Sequence, residues 1–452
     1  PSSSETHAAL LEQLKSFWEI EECPDSPQDS IPEEFTKSLR YEAGRYWAPL
    51  LWRDEKRPAN NFRQALVRLE SLSKRLDKDP VLKTQYEQTF EEYKELGIVE
   101  EVPLDEYRKT DAFYLPHHPV IKATATKTKV RPVFDGGAKD PSGGALNDRL
   151  LPGPNLLPHI AEILSRFRLR PVAFTADIQK AFLQVGLQKE ERDFCRFLLP
   201  KNSEPVKTYR FTRVCFGLTC SMFLLAATIL SHLSFNASQG RPTTINALRN
   251  DLYVDDFVTG GGTPQECWEL ASDSVRLLGQ AGLPLCQFFT TDKELRDLMK
   301  DGGLPLAPGS GSQKALGLIW NEDDTLSIRA IPDLPPVLSK RTVTSLIASV
   351  FDPLGLASPI TITTKIQLQK MWKDQISWDK PLTPEPVLLE ALKSLRELQG
   401  LRFPRYVLQD KVGPHTLDVF CDASQEAYAA CIYVDGQLLI AKTRVAPLKT
   451  IT

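Results

Sequence analysis

The sequence predicts an α+β fold of several domains, and three observations predict it. A chain of 452 residues has room for about two to four domains of ordinary size. Apolar residues recur at helical spacing from Asn61 to Leu96, with Leu66, Leu69, Leu72 and Leu76 in step and charges between them. Elsewhere the pattern alternates as strands do, most strongly in TLDVFCDASQEAYAACIYVDGQLLIAKTRV from Thr416 onward.

Taken in chain order, residues 19–34, EIEECPDSPQDSIPEE, are acidic and proline-punctuated and read as a linker. The polar face of the 61–96 helix carries Arg63, Arg68, Lys74, Arg75 and Lys78, which suits a solvated surface. YLPHHPVIKATATKTKVRPVFDGGAKDPSGGALND alternates like a strand pair, turns at glycines and carries Lys122, Lys127, Lys129 and Arg131. RPVAFTADIQKAFLQVGL gives a short apolar strand, then Asp177, then a brief helical turn. CFGLTCSMFLLAATILSHL, Cys215 to Leu233, is a loop feeding an apolar helix fit for a core. A helix from Pro264 to Leu278 turns Trp268, Leu270, Val275 and Leu278 inward. PLAPGSGSQ marks a boundary near residue 310, and KRTVTSLIASVFDPLGLASPITITTKIQLQKMWK reads as two helices interrupted by Asp352-Pro353 and Gly355. No internal repeat is visible.

Composition narrows the class. The chain is 42% hydrophobic and 25% charged, which excludes wholesale disorder. Its net charge of -3 means that any nucleic-acid binding must come from local basic patches. The eight cysteines are scattered without a C-x-x-C pair, which argues against a zinc site or a disulfide framework and suits a reducing compartment. No apolar run reaches the roughly 18 residues of a membrane span, and no signal-peptide pattern is present. A chain that begins at Pro1 and ends at Thr452 is expected to be a piece of a longer polyprotein.

The sharpest local signal is DLYVDDFVTGG, Asp251 to Gly261. Two runs of strand formers flank Asp255-Asp256, which places the pair at a hairpin tip. Adjacent carboxylates beside packed apolar residues repel, and one pKa rises unless a cation holds them. A solvated turn would also favour aspartate, so the stretch alone leaves both readings open. Asp177 lies 78 residues earlier by subtraction, so only the fold can unite the three. United, they would bind divalent cations, and two such ions can clamp both ends of a phosphoryl displacement. Lys129-x-Arg131 is then a candidate grip for the outgoing phosphate charge.

In its motifs the chain resembles the reverse transcriptase region of BEL/Pao-type LTR retrotransposon polyproteins. The residues that carry the resemblance are KVRPVFDGGAKDPSGGALND, FTADIQKAFLQVGLQKEERDFCRF, VCFGLTCSMFLLAATILSHL, LRNDLYVDDFVTGG, LGLIWN, SVFDPLGLASPITI and FCDASQEAYAACIYV, in the family's order over most of residues 90–452. The resemblance implies a right-hand polymerase of fingers, palm and thumb, followed by a connection and the first strands of a ribonuclease H-like α/β fold. The expected divisions are 1–60 acidic linker and extension, 61–100 helical region, 101–305 fingers and palm, 306–412 thumb and connection, and 413–452 ribonuclease H-like start.

Residue by residue, the resemblance makes Asp177, Asp255 and Asp256 the catalytic carboxylates, with the Ile178 carbonyl completing a shell for two Mg²⁺ or Mn²⁺ ions. It gives Arg131 and Lys129 to the triphosphate, Phe182 to a steric gate against a ribose 2′-hydroxyl, and Tyr253 to the primer end. It implies template-primer and deoxynucleoside triphosphates as partners, and no membrane. Lys122, Lys127, Lys129, Arg166, Arg168, Arg170, Lys365 and Lys370 are expected to line one groove. It further implies upstream protease and downstream ribonuclease H and integrase segments, and a cytoplasmic virus-like particle with nuclear delivery of its product. Asp422 resembles the first ribonuclease H carboxylate of an incomplete site, so no hybrid cleavage is expected. Phe216 stands where retroviral relatives carry Gln, and Met222 where the family often has Pro, which removes a polar contact from that loop. The competing readings are a decayed relative that binds nucleic acid without catalysis and an RNA-synthesising polymerase. The full aspartate set opposes the first, and Phe182 the second.

Overall fold

The computed structural model describes residues 30–108, 111–121, 130–201, 204–309, 311–329, 331–408 and 413–447. Phe35, Tyr46, Ala48 and Leu50 are buried in the main core, so the later part of the 1–60 segment, expected as linker and extension, is built into the body. Its strand Arg45–Ala48 runs parallel to Gly186–Leu187. Gly186 has no substitute there, because a Cβ would lie 2.4 Å from the Trp47 ring.

The helical periodicity at 61–96 divides into α1 (Phe62–Leu76) and α2 (Pro80–Glu95) rather than one long helix. Asp79 caps α2 by accepting from the Leu82 N–H at 3.0 Å. Pro80 takes the first turn, where its missing N–H has no partner to lose. Only Asp77, Lys78 and Asp79 separate the two helices, a gap too short for spacing alone to reveal. The alternating stretch that follows forms the antiparallel pair β1 (His117–Ile121) and β2 (Val130–Phe134). Lys122, Lys127 and Lys129 lie outside the described residues.

The centre of the molecule is built from α3 (Ile160–Leu169), β3 (Val172–Ile178), α4 (Ser221–Phe235), β4 (Leu252–Tyr253), β5 (Asp256–Gly261), α5 (Pro264–Gln280) and β6 (Leu285–Phe289). The strands form one antiparallel sheet in the order β4-β5-β3-β6. Strand side chains alternate between faces. Phe174, Ala176 and Ile178 of β3, with Phe257 of β5, join the main core. Ala173 and Val258 join a second core that contains Phe167 and Trp320. On α5 the fully buried residues are Cys267, Ala271, Ser274, Leu277 and Leu278, whereas Trp268, Leu270 and Val275 are half-buried. The buried stripe is rotated toward small residues because the helix lies close on β3, with Cys267 Sγ 3.6 Å from the Val172 carbonyl.

Beyond residue 310 come a four-stranded sheet (Ser312–Ala315, Leu318–Asn321, Thr325–Ser327, Phe403–Pro404) and the helices α6 (Lys340–Ser349), α7 (Ser358–Lys373) and α8 (Pro386–Glu397). The expected break between α6 and α7 is present. The Asp352 carboxylate accepts from the Leu356 and Ala357 N–H groups at 2.9 and 2.7 Å. The final strands β7 (Leu417–Ala423), β8 (Ala427–Val434) and β9 (Gln437–Val445) form an antiparallel meander. Strand β7 is exposed on both faces, including Leu417, Val419 and Phe420. Among the described residues no helix is long and apolar enough to cross a membrane.

Candidate active site

Asp177 is the penultimate residue of β3, on the face opposite Phe174, Ala176 and Ile178. Its register partner on β5 is Asp256, so the two carboxylates spring from directly opposed positions on one face. A slip of one residue would turn Asp177 into the main core, so the apolar alternation of VAFTADI fixes the carboxylate's side. The hairpin is present, but its two-residue tip is Val254-Asp255 rather than the expected Asp255-Asp256, because Asp256 pairs with Tyr253 as the first residue of β5. Val254 has φ +58°, a left-handed conformation that costs a β-branched residue. The Ile178 N–H donates to the Asp255 carbonyl at 2.9 Å, which ties the strand end to the tip. Tyr253, the register partner of Asp256, is half-buried against the second core.

The electrostatics follow from this crowding. Burial raises the Asp255 carboxyl above its ordinary range, an effect opposed by Arg131. Burial, then repulsion from Asp255, pushes Asp256 up to about 6, with Lys314 opposing the rise. Cys286 is the partner of Asp177 on β6, its Sγ 4.0 Å from Asp177 Oδ2. A β-bulge follows, and Gln287, at φ +57°, places Nε2 3.5 Å from the same oxygen. Lys314 and Gln287 were not anticipated. Gln287 reaches the site through an irregular backbone, and Lys314 lies beyond the Gly/Ser boundary segment, so neither carried a local signal.

Asp251, just before the hairpin, is fully buried. Arg166 Nε donates to it at 2.8 Å, Arg170 Nη1 at 2.6 Å and Thr259 Oγ1 at 2.8 Å. The Val258 N–H donates to the Asp251 carbonyl at 3.1 Å, so this ion cluster anchors β5 behind its carboxylate. Arg166 and Arg170 therefore serve the interior rather than a nucleic-acid groove. Arg168 is buried as well and donates to the carbonyls of Leu438 at 2.7 Å, Leu439 at 2.5 Å and Pro404 at 3.0 Å. Lys370 pairs with Glu426 at 3.0 Å, and Lys365 faces Asp352. The five described cations of the expected groove are thus engaged in intramolecular contacts instead. Helix α3 docks on β5 and on β9 of the C-terminal meander, and its arginines supply polar contacts there.

Arg131 is exposed on β2, and its charge opposes the rise of the Asp255 carboxyl. Lys129 lies outside the described residues. Phe182 is half-buried in the 3-10 turn Ala181–Gln184 and meets the Phe216 ring edge-on, centroids 5.3 Å apart. Asp422 sits exposed on β7 in the meander and bonds only locally, accepting from the Ala423 N–H at 2.9 Å. Among the described residues, no three His, Cys, Asp or Glu side chains make a ready metal cage. The donor set still fits a hard cation such as Mg²⁺, which takes one or two carboxylates and completes its shell with phosphate oxygens and water.

Comparison with known proteins bears on this geometry. Residues 339–452 match the family model described as Pao retrotransposon-like RNaseH-like domain. A foamy viral protease-reverse transcriptase dRH in complex with double-stranded DNA superposes with a TM-score of 0.54 at 14% identity, covering 98% of this chain and 64% of that one. The foamy viral protease-reverse transcriptase with an RNA/DNA hybrid gives 0.52 at 14% identity, covering 98% and 49%. With double-stranded DNA it gives 0.52 at 14%, covering 98% and 76%. The chain therefore spans less than two thirds of the first of these proteins. A search of curated proteins finds no match. The fold is a mixed α+β fold similar to that of retroviral reverse transcriptase. Residues 339–452 thus resemble a Pao retrotransposon-like RNaseH-like domain, and the chain as a whole has a fold similar to that of a foamy viral protease-reverse transcriptase.

Proposed function

We propose that the chain is an RNA-directed DNA polymerase of a BEL/Pao-type LTR retrotransposon, extending a primer on an RNA or DNA template. The observation that carries this reading is the opposed Asp177–Asp256 pair, with Asp255 at the adjoining tip and both hairpin carboxyls raised. Like charges held directly opposite destabilise a sheet unless something offsets them. A rigid, self-repelling carboxylate set is what a divalent cation relieves.

Asp177, Asp255 and Asp256, with the Ile178 carbonyl, would hold two Mg²⁺ or Mn²⁺ ions. Bound there, the ions supply electrostatic stabilisation of the attacking and leaving oxygens. The chain's own residues do the rest. Arg131, with Lys129, grips the triphosphate of the incoming deoxynucleotide. Phe182 closes the space beside the sugar C2′, and Tyr253 rests against the primer end. In this reading residues 101–305 are fingers and palm, 306–412 thumb and connection, and 413–452 the ribonuclease H-like start bearing Asp422. The foamy viral proteins bound to double-stranded DNA and to an RNA/DNA hybrid support a template-primer duplex as the partner. Hybrid cleavage is not part of the proposal. Protease and integrase neighbours and a virus-like particle follow from the retrotransposon assignment.

The test is primer extension on an RNA template with deoxynucleotides and Mg²⁺, comparing the parent with the Asp255→Asn/Asp256→Asn variant. Extension by the parent alone supports the reading. A parent that binds the hybrid but does not extend it moves the assignment to a non-catalytic binder.

A further inference from the structure

The loop from Val214 to Ser221 is built to hold one exposed ring in place. Gly217 sits at φ +89° with its Cα so close to β2 that a Cβ would lie 2.2 Å from the Phe134 carbonyl oxygen. Asn147 clamps the loop from outside: its Nδ2 donates to the Gly217 carbonyl at 2.9 Å, and its Oδ1 accepts from the Thr219 N–H at 3.0 Å. Ser221 Oγ donates to the Cys215 carbonyl at 2.7 Å. The loop is thus fixed to the end of the strand that carries Arg131.

The same loop is joined to the turn carrying Phe182. The Val185 N–H donates to the Phe182 carbonyl at 3.2 Å, and the Val214 N–H donates to the Val185 carbonyl at 2.9 Å. Between these anchors Phe216 is 39% exposed, a large fraction for a phenylalanine fixed by its neighbours, and its ring meets Phe182 at an interplanar angle of 67°. An edge-to-face pair holds both rings to one relative geometry.

We infer that Phe216 is a positioning residue for sugar selection: it locks the Phe182 ring in the orientation that excludes a 2′-hydroxyl, so nucleotide discrimination belongs to the ring pair. This inference rests on the polymerase reading and deepens it. A half-buried Phe182 without Phe216 could swing between rotamers, and a gate that swings admits ribose part of the time.

The test is primer extension on an RNA template, scored as the ratio of ribonucleotide to deoxynucleotide kcat/KM. The forms compared are the parent, Phe216→Ala, Phe216→Gln, Phe216→Tyr, Phe182→Ala and the Phe182→Ala/Phe216→Ala double variant. Losing an aromatic pair should raise the ratio in Phe216→Ala and Phe216→Gln by about threefold to tenfold. Phe216→Tyr, which keeps the ring, should hold the parental ratio. The double variant should match Phe182→Ala, because Phe216 acts through Phe182. Extension with a parental ratio in both Phe216→Ala and Phe216→Gln overturns the inference while leaving the polymerase reading intact. Ratios that multiply in the double variant overturn it too, because they assign Phe216 an independent role. A parent that extends no primer overturns the polymerase reading, and this inference falls with it.

Discussion

Asp177 and Asp256 face each other as a directly opposed pair on neighbouring antiparallel strands, each drawn from a different part of the chain. The sheet holds them there against their repulsion through the apolar register behind them and the buried Asp251 cluster at the base of the hairpin.

Relieving that repulsion should stabilise the apo protein and destroy its chemistry. Asp256→Asn is expected to raise the unfolding free energy by up to about 1 kcal/mol, the scale of a like-charge cross-strand pair. It should also abolish primer extension. Mg²⁺ should raise the Tm of the parent, by the equivalent of about 1.4 kcal/mol at ten times its Kd. The Asp177→Asn/Asp256→Asn variant should show no such response in differential scanning calorimetry. An equal Tm rise in both would place the cation elsewhere.

Asp251 should prove more important to stability than Asp177, Asp255 or Asp256. Replacing it by Asn leaves Arg166 and Arg170 facing a neutral amide at a fully buried site. Breaking a buried ion pair from one side costs about 3–5 kcal/mol. Urea denaturation of Asp251→Asn should show a midpoint lowered accordingly, and a midpoint within error of the parent's would remove the cluster from its anchoring role.

Arg168 joins the α3–β3 junction to the C-terminal meander. Its guanidinium satisfies three carbonyls, and its neighbour Arg405 bonds Asp324 at 2.7 and 2.8 Å and the Phe167, Arg170 and Pro171 carbonyls. Burial, then the Arg405 charge, lowers the Arg168 pKa to about 10, still charged at neutral pH. Arg168→Met should cost about 2–4 kcal/mol. It should also speed amide hydrogen exchange in residues 437–445 before the central sheet is affected. Uniform loss of protection would contradict a local joint.

Acid should destabilise the β1–β2 region through His117. Nε2–H of its buried ring donates to the Leu198 carbonyl at 2.8 Å and Nδ1 accepts from the Tyr86 hydroxyl at 2.6 Å, so it is held neutral. Burial lowers its pKa to about 4, with the neighbouring His118 adding to the fall. In the unfolded chain the group titrates near 6.5. Between those values only the unfolded state gains the proton, so stability is lost as pH falls from about 6.5 to about 4 and levels off below. The loss should approach about 3 kcal/mol, and His117→Gln should remove that slope from a plot of unfolding free energy against pH.

Local chemistry was legible in the sequence wherever one short stretch contained its own reason. The β4–β5 hairpin, the β1–β2 pair, the break at Asp352-Pro353 and the C-terminal strands were all visible as alternation or turn chemistry. The break between α1 and α2 was missed because only Asp77, Lys78 and Asp79 separate the helices before Pro80 opens the second.

What the sequence by itself determined was the chemical inventory, three aspartates, and for Asp177 the side of its strand, because a period of two fixes facing once one face is apolar. What only the tertiary structure decided was which charges are spent inside. Arg166, Arg168 and Arg170 look like surface cations in the chain and are interior ties in the fold. Lys314 and Gln287 reach the site from segments with no signal of their own, and the contact of Phe216 with Phe182 appears only in the fold. Burial and pairing depend on contacts between residues far apart in sequence, and a charged side chain carries the same letter whether it faces water or a buried carbonyl.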